Sequence, residues 1–194
     1  MEAVPGVCFD IVEEFYDVEL EGEEMLLIED LRKSYGAREV LRGLSLGVSA
    51  GQIMGLVGSN GAGKSTAISI ACGLMTASGG RVLVGKDDQA DVDVARDRRR
   101  ASSLIGLAPQ ELGIYPMLSV EQNLITFAEL AGLGRRAARA QVEHVVAALD
   151  LESQLRQRAD TLSGGQARRL HTGMALMHRP EVLFLDEPTV GADV

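Results

Sequence analysis

The sequence predicts an α/β fold in which a strand-rich core is interrupted by a helical insertion. Three observations lead there. A glycine-rich loop, GSNGAGKST, stands between a short apolar run and a stretch with apolar residues at helical spacing. From residue 109 the pattern turns helical for roughly seventy residues, which is a subdomain's length. Strand-like text then returns at EVLFLDE, Glu181 to Glu187.

Taken in order, residues 1–24 are acidic and read as an N-terminal extension. The text changes at Met25, and Met1 and Met25 both stand as possible starts. MLLIEDLRKSYG reads as a strand entering a turn. VLRGLSLGV, from Val40, alternates like a half-exposed strand, and GQIMGLVG is dense enough for a buried one. Lys64 to Met75 places Ile68, Ala71, Cys72 and Met75 at helical spacing. GRVLVGKDD is a further strand, and the basic run Arg96–Arg100 reads as a solvated helix face. LIGLAPQ reads as a buried strand ending at Pro109.

Ser119 and Gln122 have capping-box spacing ahead of Leu124, Phe127, Ala128 and Ala131. A second amphipathic helix carries Val142, Val145, Val146 and Leu149 on one stripe. Ser163 and Gln166 repeat the capping spacing before a helix whose inner face is Leu170, Met174 and Met177. The expected organisation is an extension (1–24), a first core part (25–108), a helical subdomain (109–180) and a second core part (181–194).

Composition narrows the function. The chain has 194 residues, 46% hydrophobic and 24% charged, with a formal net charge of −9. An acidic chain is a poor general binder of nucleic acid or anionic lipid, both of which select Lys and Arg. Its two cysteines, Cys8 and Cys72, have no metal-ligand spacing, and a reducing cytoplasm suits them. The apolar runs fall short of the ~20 residues of a membrane span, and no secretory signal is visible.

The glycine-rich loop contains G-x-x-x-x-G-K-[ST] as Gly58, Gly63, Lys64 and Ser65, with a strand before it and a helix after it. Glycines let successive backbone N–H groups curl around phosphate oxygens, and the helix start adds positive potential. Lys64 can reach the β- and γ-phosphates of a nucleotide, and the Ser65 hydroxyl can ligate Mg²⁺. VLFLDE delivers Asp186 and Glu187 at a strand's carboxyl end, where open α/β sheets bind ligands. Asp186 can hold Mg²⁺ through its water shell, and Glu187 can orient or deprotonate an attacking water.

LSGGQARR, Leu162 to Arg169, puts two glycines at a helix start. Gly164 and Gly165 leave that end uncovered, open to an anion's close approach. The first loop already wraps one triphosphate, so a second contact could come from another molecule.

These residues resemble the nucleotide-binding subunits of ATP-binding cassette (ABC) transporters. GSNGAGKST, residues Gly58, Ser59, Asn60, Gly61, Ala62, Gly63, Lys64, Ser65 and Thr66, is similar to that family's Walker A loop. VLFLDEPT is similar to its Walker B strand, and LSGGQ to its signature motif. LAPQ resembles its Q-loop, making Gln110 a ligand of Mg²⁺ and water. Tyr35 matches the aromatic that stacks on adenine, and VGAD matches the D-loop, with Asp193 as its aspartate. The six motifs follow the family order over roughly residues 25–194.

The resemblance implies a P-loop NTPase core with a mostly parallel sheet, an N-terminal antiparallel β part and an inserted α-helical subdomain. It implies ATP hydrolysis with Mg²⁺, in a head-to-tail dimer of two ATP-binding subunits. There Ser163, Gly164, Gly165 and Gln166 of one subunit complete the site of the other. It further implies a separate membrane permease, a location on the inner face of the cell membrane and no nucleic acid. ELGIYPMLSVEQNL and HRPEVLFLDEPTVGAD look most like multidrug and antibiotic-resistance exporters.

Two departures accompany the resemblance. Ser59 stands where the family often has proline. The family also has a further strand and a switch histidine after the D-loop, and the sequence ends at Val194 before both. His144, His171 and His178 precede the Walker B strand and cannot substitute. The expectation is therefore a fragment of a longer gene product or a truncated reading frame. Rival readings are an ATP-binding remnant that does not hydrolyse and an ABC ATPase unconnected with transport.

Overall fold

The computed structural model describes residues 24–85 and 92–186. Glu187 and Asp193, both expected in the site, lie outside the described residues. By its contacts the chain divides into two compact units, one running to Ile105 and regained at Glu181–Asp186, the other spanning Gly106–Pro180.

The first unit is built on a long hairpin. Strands β1 (Glu24–Tyr35) and β2 (Arg38–Ser49) pair antiparallel down to Tyr35 opposite Arg38, across a two-residue loop. The register shifts between Ile28 and Leu31, where Asp30 takes a φ of +45°. Such a bulge adds twist to a long strand. Helix α1 (Lys64–Ala71) follows the glycine-rich loop. Strands β3 (Gly79–Val84) and β4 (Val92–Asp93) complete an antiparallel sheet of order β2-β1-β3-β4. Helix α2 (Arg98–Leu104) leads into β5 (Ile105–Ala108), and β6 (Val182–Leu185) enters with Glu181 N–H donating to Leu104 O at 2.8 Å. The unit buries Leu26, Ile28, Leu31, Val48, Val82, Val84, Ile68 and Ile70.

Two expectations are corrected in this unit. Helix α1 stops at Ala71, short of Met75, because the N–H groups of Leu74 and Met75 both turn back to Ser69 O. The run GQIMGLVG forms no buried strand. Only Leu56 makes an isolated bridge, while Ile53 is 73% and Val57 49% exposed. An apolar run becomes a strand only where neighbours pair its N–H and C=O groups, and within this run the pairing is confined to Leu56. The described four-stranded sheet is antiparallel throughout.

The second unit is helical: α3 (Val120–Leu130), α4 (Arg135–Ala148) and α5 (Gly164–Leu176), with short 3₁₀ turns between α4 and α5. Helices α3 and α5 both start with the capping box read from the sequence, Ser119 with Gln122 and Ser163 with Gln166. Leu124, Ala128, Val142, Val145, Val146, Leu170, Met174 and Met177 are all buried. Gly173 marks where the three helices meet. A Cβ there would stand 2.9 Å from Val145, 3.1 Å from Leu149 and 3.3 Å from Leu124. Asn123, fully buried, anchors the approach to α3 by accepting from Tyr115 N–H at 2.7 Å and donating to Tyr115 O and Ser119 O.

Candidate nucleotide-binding site

The phosphate loop takes its shape from two glycines at left-handed φ, Gly61 at +86° and Gly63 at +99°. Gly63 caps α1 without any side-chain hydrogen bond, so the first N–H groups of the helix are left for another acceptor. Its conformation is compatible only with glycine for a second reason: a Cβ would sit 2.9 Å from Leu41 and 3.1 Å from Val40 on β2. The loop thus approaches the hairpin at Gly63 too closely for a larger residue. Lys64 Nζ folds over the loop, donating to the carbonyls of Gly58 and Ser59 at 2.6 and 3.2 Å.

Gly58, Gly61, Ala62, Gly63 and Lys64 line a cavity of about 960 Å³, walled by β2 and by the Ile53–Val57 run. Ser59, Asn60 and Ser65 are exposed and Thr66 is half-buried. Tyr35 closes β1 with half its surface free, its hydroxyl on Met75 Sδ at 3.0 Å and Lys33 Nζ 5.2 Å from its ring centroid. It is not part of the cavity wall.

Asp186 directly follows β6 and is half-buried. Its charge is felt by Cys72 at the end of α1, whose thiol is pushed up to about 12, first by burial and then by the Asp186 carboxylate. Cys72 is therefore an inert packing residue. Among the described residues no cluster of His, Cys, Asp and Glu could hold a metal alone. Mg²⁺ takes one or two protein oxygens beside waters and phosphate oxygens. The Ser65 hydroxyl and Asp186 carboxylate are donors of that kind.

In the helical unit, Gln110 is exposed just beyond β5. Ser163 Oγ accepts from Gln166 N–H at 3.3 Å, and Gln166 Oε1 accepts from Ser163 N–H at 2.9 Å. The signature motif is therefore a fully formed capping box. Gly164 and Gly165 are exposed, and a Cβ on Gly165 would meet no atom within 4 Å. Among the described residues, nothing in the packing asks for glycine at 165.

The arginines that follow do more than their spacing revealed. Arg169 donates to Leu149 O, Asp150 O and the Asp150 carboxylate, all at 3.0 Å, closing the end of α4. Arg168 donates to Pro109 O at 3.2 Å and Gln110 O at 3.0 Å. Contacts across some sixty positions of sequence have no local signal. The basic pair itself was the only available clue.

Comparison with known proteins agrees with this geometry. The family described as ABC transporter matches residues 41–190. The linearmycin resistance ATP-binding protein of Bacillus subtilis is 37% identical over 169 residues, 87% of this chain and 53% of that protein. The daunorubicin resistance ATP-binding protein of Streptomyces coeruleorubidus is 39% identical over 165 residues, 85% of this chain and 50% of that protein. This chain thus spans about half the length of these curated relatives. Among solved structures, cbiO1 of Clostridium perfringens, part of the ABC transporter complex cbiONQ, aligns with a TM-score of 0.78 at 28% identity. That alignment covers 88% of this chain and 68% of cbiO1. A phosphate loop seated on a hairpin, a capped LSGGQ helix and these matches place the chain in the ABC transporter family, as an ATPase nucleotide-binding domain.

Proposed function

We propose that this chain is the ATP-binding and ATP-hydrolysing part of an ABC exporter, driving small molecules through a separate membrane permease. The observation that carries the reading is the start of α1. It is uncapped, set by left-handed Gly63, and overhung by the Lys64 ammonium. Backbone N–H groups from Gly61 to Ser65 would receive the β- and γ-phosphates, with Lys64 leaving its loop carbonyls for phosphate oxygens. Tyr35, Ser59, Asn60, Ala62 and Thr66 would complete the nucleotide contacts, Tyr35 against the adenine.

Ser65, Asp186 and Gln110 would hold Mg²⁺, which when bound offsets phosphate charge and orients the reacting phosphoryl group. Glu187 would align and deprotonate the water. Ser163, Gly164, Gly165 and Gln166 of a second ATP-binding subunit would close over the γ-phosphate, with Asp193 at the junction. ATP would then join the two subunits and hydrolysis would part them. The fold would contain a mostly parallel core beside the antiparallel hairpin, with 109–180 as the inserted subdomain. The protein would work in the cytoplasm against the inner face of the membrane, held there by the permease. No helix among the described residues is long and apolar enough to cross a membrane.

The test is a melting curve with and without Mg-ATP, followed by turnover. A ligand at a hundred times its Kd stabilises a folded site by about 2.7 kcal/mol. The wild-type chain should show that shift, Lys64→Ala should lose it, and Glu187→Gln should keep the shift while losing turnover. A wild-type melting temperature indifferent to Mg-ATP would refute the reading.

A further inference from the structure

Helix α5 begins at the signature motif and, on the next turn, reaches the segment that carries Gln110. Arg168 uses one nitrogen, Nη1, to address two successive carbonyls, Pro109 O at 3.2 Å and Gln110 O at 3.0 Å. One turn further along the same face, His171 is buried against the other end of that segment. A Cβ on Gly113 would stand 3.5 Å from His171 Nε2. Positions three apart on a helix are neighbours, so one face of α5 supports the segment from Pro109 to Gly113.

The two carbonyls have a geometric meaning. Pro109 C=O belongs to the peptide plane before the Gln110 Cα, and Gln110 C=O to the plane after it. Peptide units are rigid planes, so only the two dihedrals at the shared Cα are soft. Holding both carbonyls fixes both planes, and with them the direction of the Gln110 Cα–Cβ bond. β5 ends at Ala108 and residue 109 is proline, which has no N–H to place in a ladder. A side chain does here what a neighbouring strand would otherwise do.

We propose that Arg168 is a positioning residue: it aims the Gln110 carboxamide from the signature helix, so that the helix start and Gln110 move as one body. The inference rests on the ATPase reading, in which Gln110 touches Mg²⁺ and water. A charged guanidinium suits the task, since charge-assisted bonds are short and its planar fork keeps its orientation.

Two measurements test it. Backbone ¹⁵N relaxation at Gln110 and Glu111 should give order parameters near ~0.85 in the wild type and below ~0.6 in Arg168→Met. Amides of α5 should be unchanged, and Arg168→Lys should fall between. Equal order in wild type and Arg168→Met would overturn the proposal. In turnover, Arg168→Met should lower kcat about tenfold at unchanged Mg-ATP affinity, and lower it no further in a Gln110→Ala background. Independent, multiplying losses would assign Arg168 a general structural role and overturn the proposal. If Arg168→Met fails to fold, Arg168→Lys carries both measurements. A wild-type chain without turnover would defeat the ATPase reading instead, and the relaxation comparison would still decide whether the clamp exists.

Discussion

The side chain of Leu41 on β2 comes within 2.9 Å of the point where a Cβ on Gly63 would stand. The antiparallel hairpin and the phosphate loop are thus in direct steric register, and both lie in the first unit. Gly61 has a similar left-handed φ, but a Cβ there would meet open space. The pair separates backbone strain from packing. Gly61→Ala should cost about 1 kcal/mol, the penalty of a left-handed alanine. Gly63→Ala adds overpacking against Leu41 and Val40, for a total of about 2–4 kcal/mol. Urea midpoints of the two variants check this, and equal midpoints would mean that Leu41 yields. Gly63→Ala should also lose the Mg-ATP melting shift, since its loop must move away from Leu41 and Val40 to make room for the Cβ.

Two glycines of α5 should respond in opposite ways. Gly165 faces open space, whereas Gly173 is enclosed by Val145, Leu149 and Leu124. Replacing a helical glycine by alanine ordinarily gains up to about 1 kcal/mol. Gly165→Ala should therefore unfold no earlier than wild type. Its ATP-driven dimerisation, followed by sedimentation with Glu187→Gln to hold the nucleotide, should nonetheless weaken about tenfold or more. Gly173→Val should lose about 2–3 kcal/mol of stability, because three side chains must give way. A Gly165→Ala chain that dimerises normally would remove the reason offered for its bare helix start.

What the sequence made legible follows the range of the forces involved. Both capping boxes, Ser119 with Gln122 and Ser163 with Gln166, were readable because the partners are three residues apart. The buried stripes of α4 and α5 were readable because 3.6-residue periodicity is local too. The run Ile53–Val57 was misread, since its fate depends on neighbouring strands and not on its own apolar content. Helix α1 is shorter than its spacing predicts for a related reason: Met75 sits at helical spacing, but its N–H has already turned back to Ser69 O. The phosphate loop could be assigned from its spelling, while the contact of Gly63 with Leu41 needed the fold. Arg168 was visible only as a charge, because its acceptors lie 58 and 59 positions away.

His171 makes the stability of the helical unit depend on pH. It is only 5% exposed, and Nδ1 has no hydrogen-bond partner among the described residues. Burial first, and then the positive charge of Arg168, hold its pKa below the ordinary 6.5. The native state therefore binds fewer protons than the unfolded chain in the window beneath 6.5. Stability is complete above that value and is lost as pH falls toward the lowered native pKa, with a slope of at most about 1.4 kcal/mol per pH unit. His171→Leu removes the group from both states. Urea midpoints at pH 7.5 and 5.5 should fall further for wild type than for His171→Leu, with all other titrating groups common to both. Equal falls would mean that the imidazole finds a partner for its second proton without opening the helix packing.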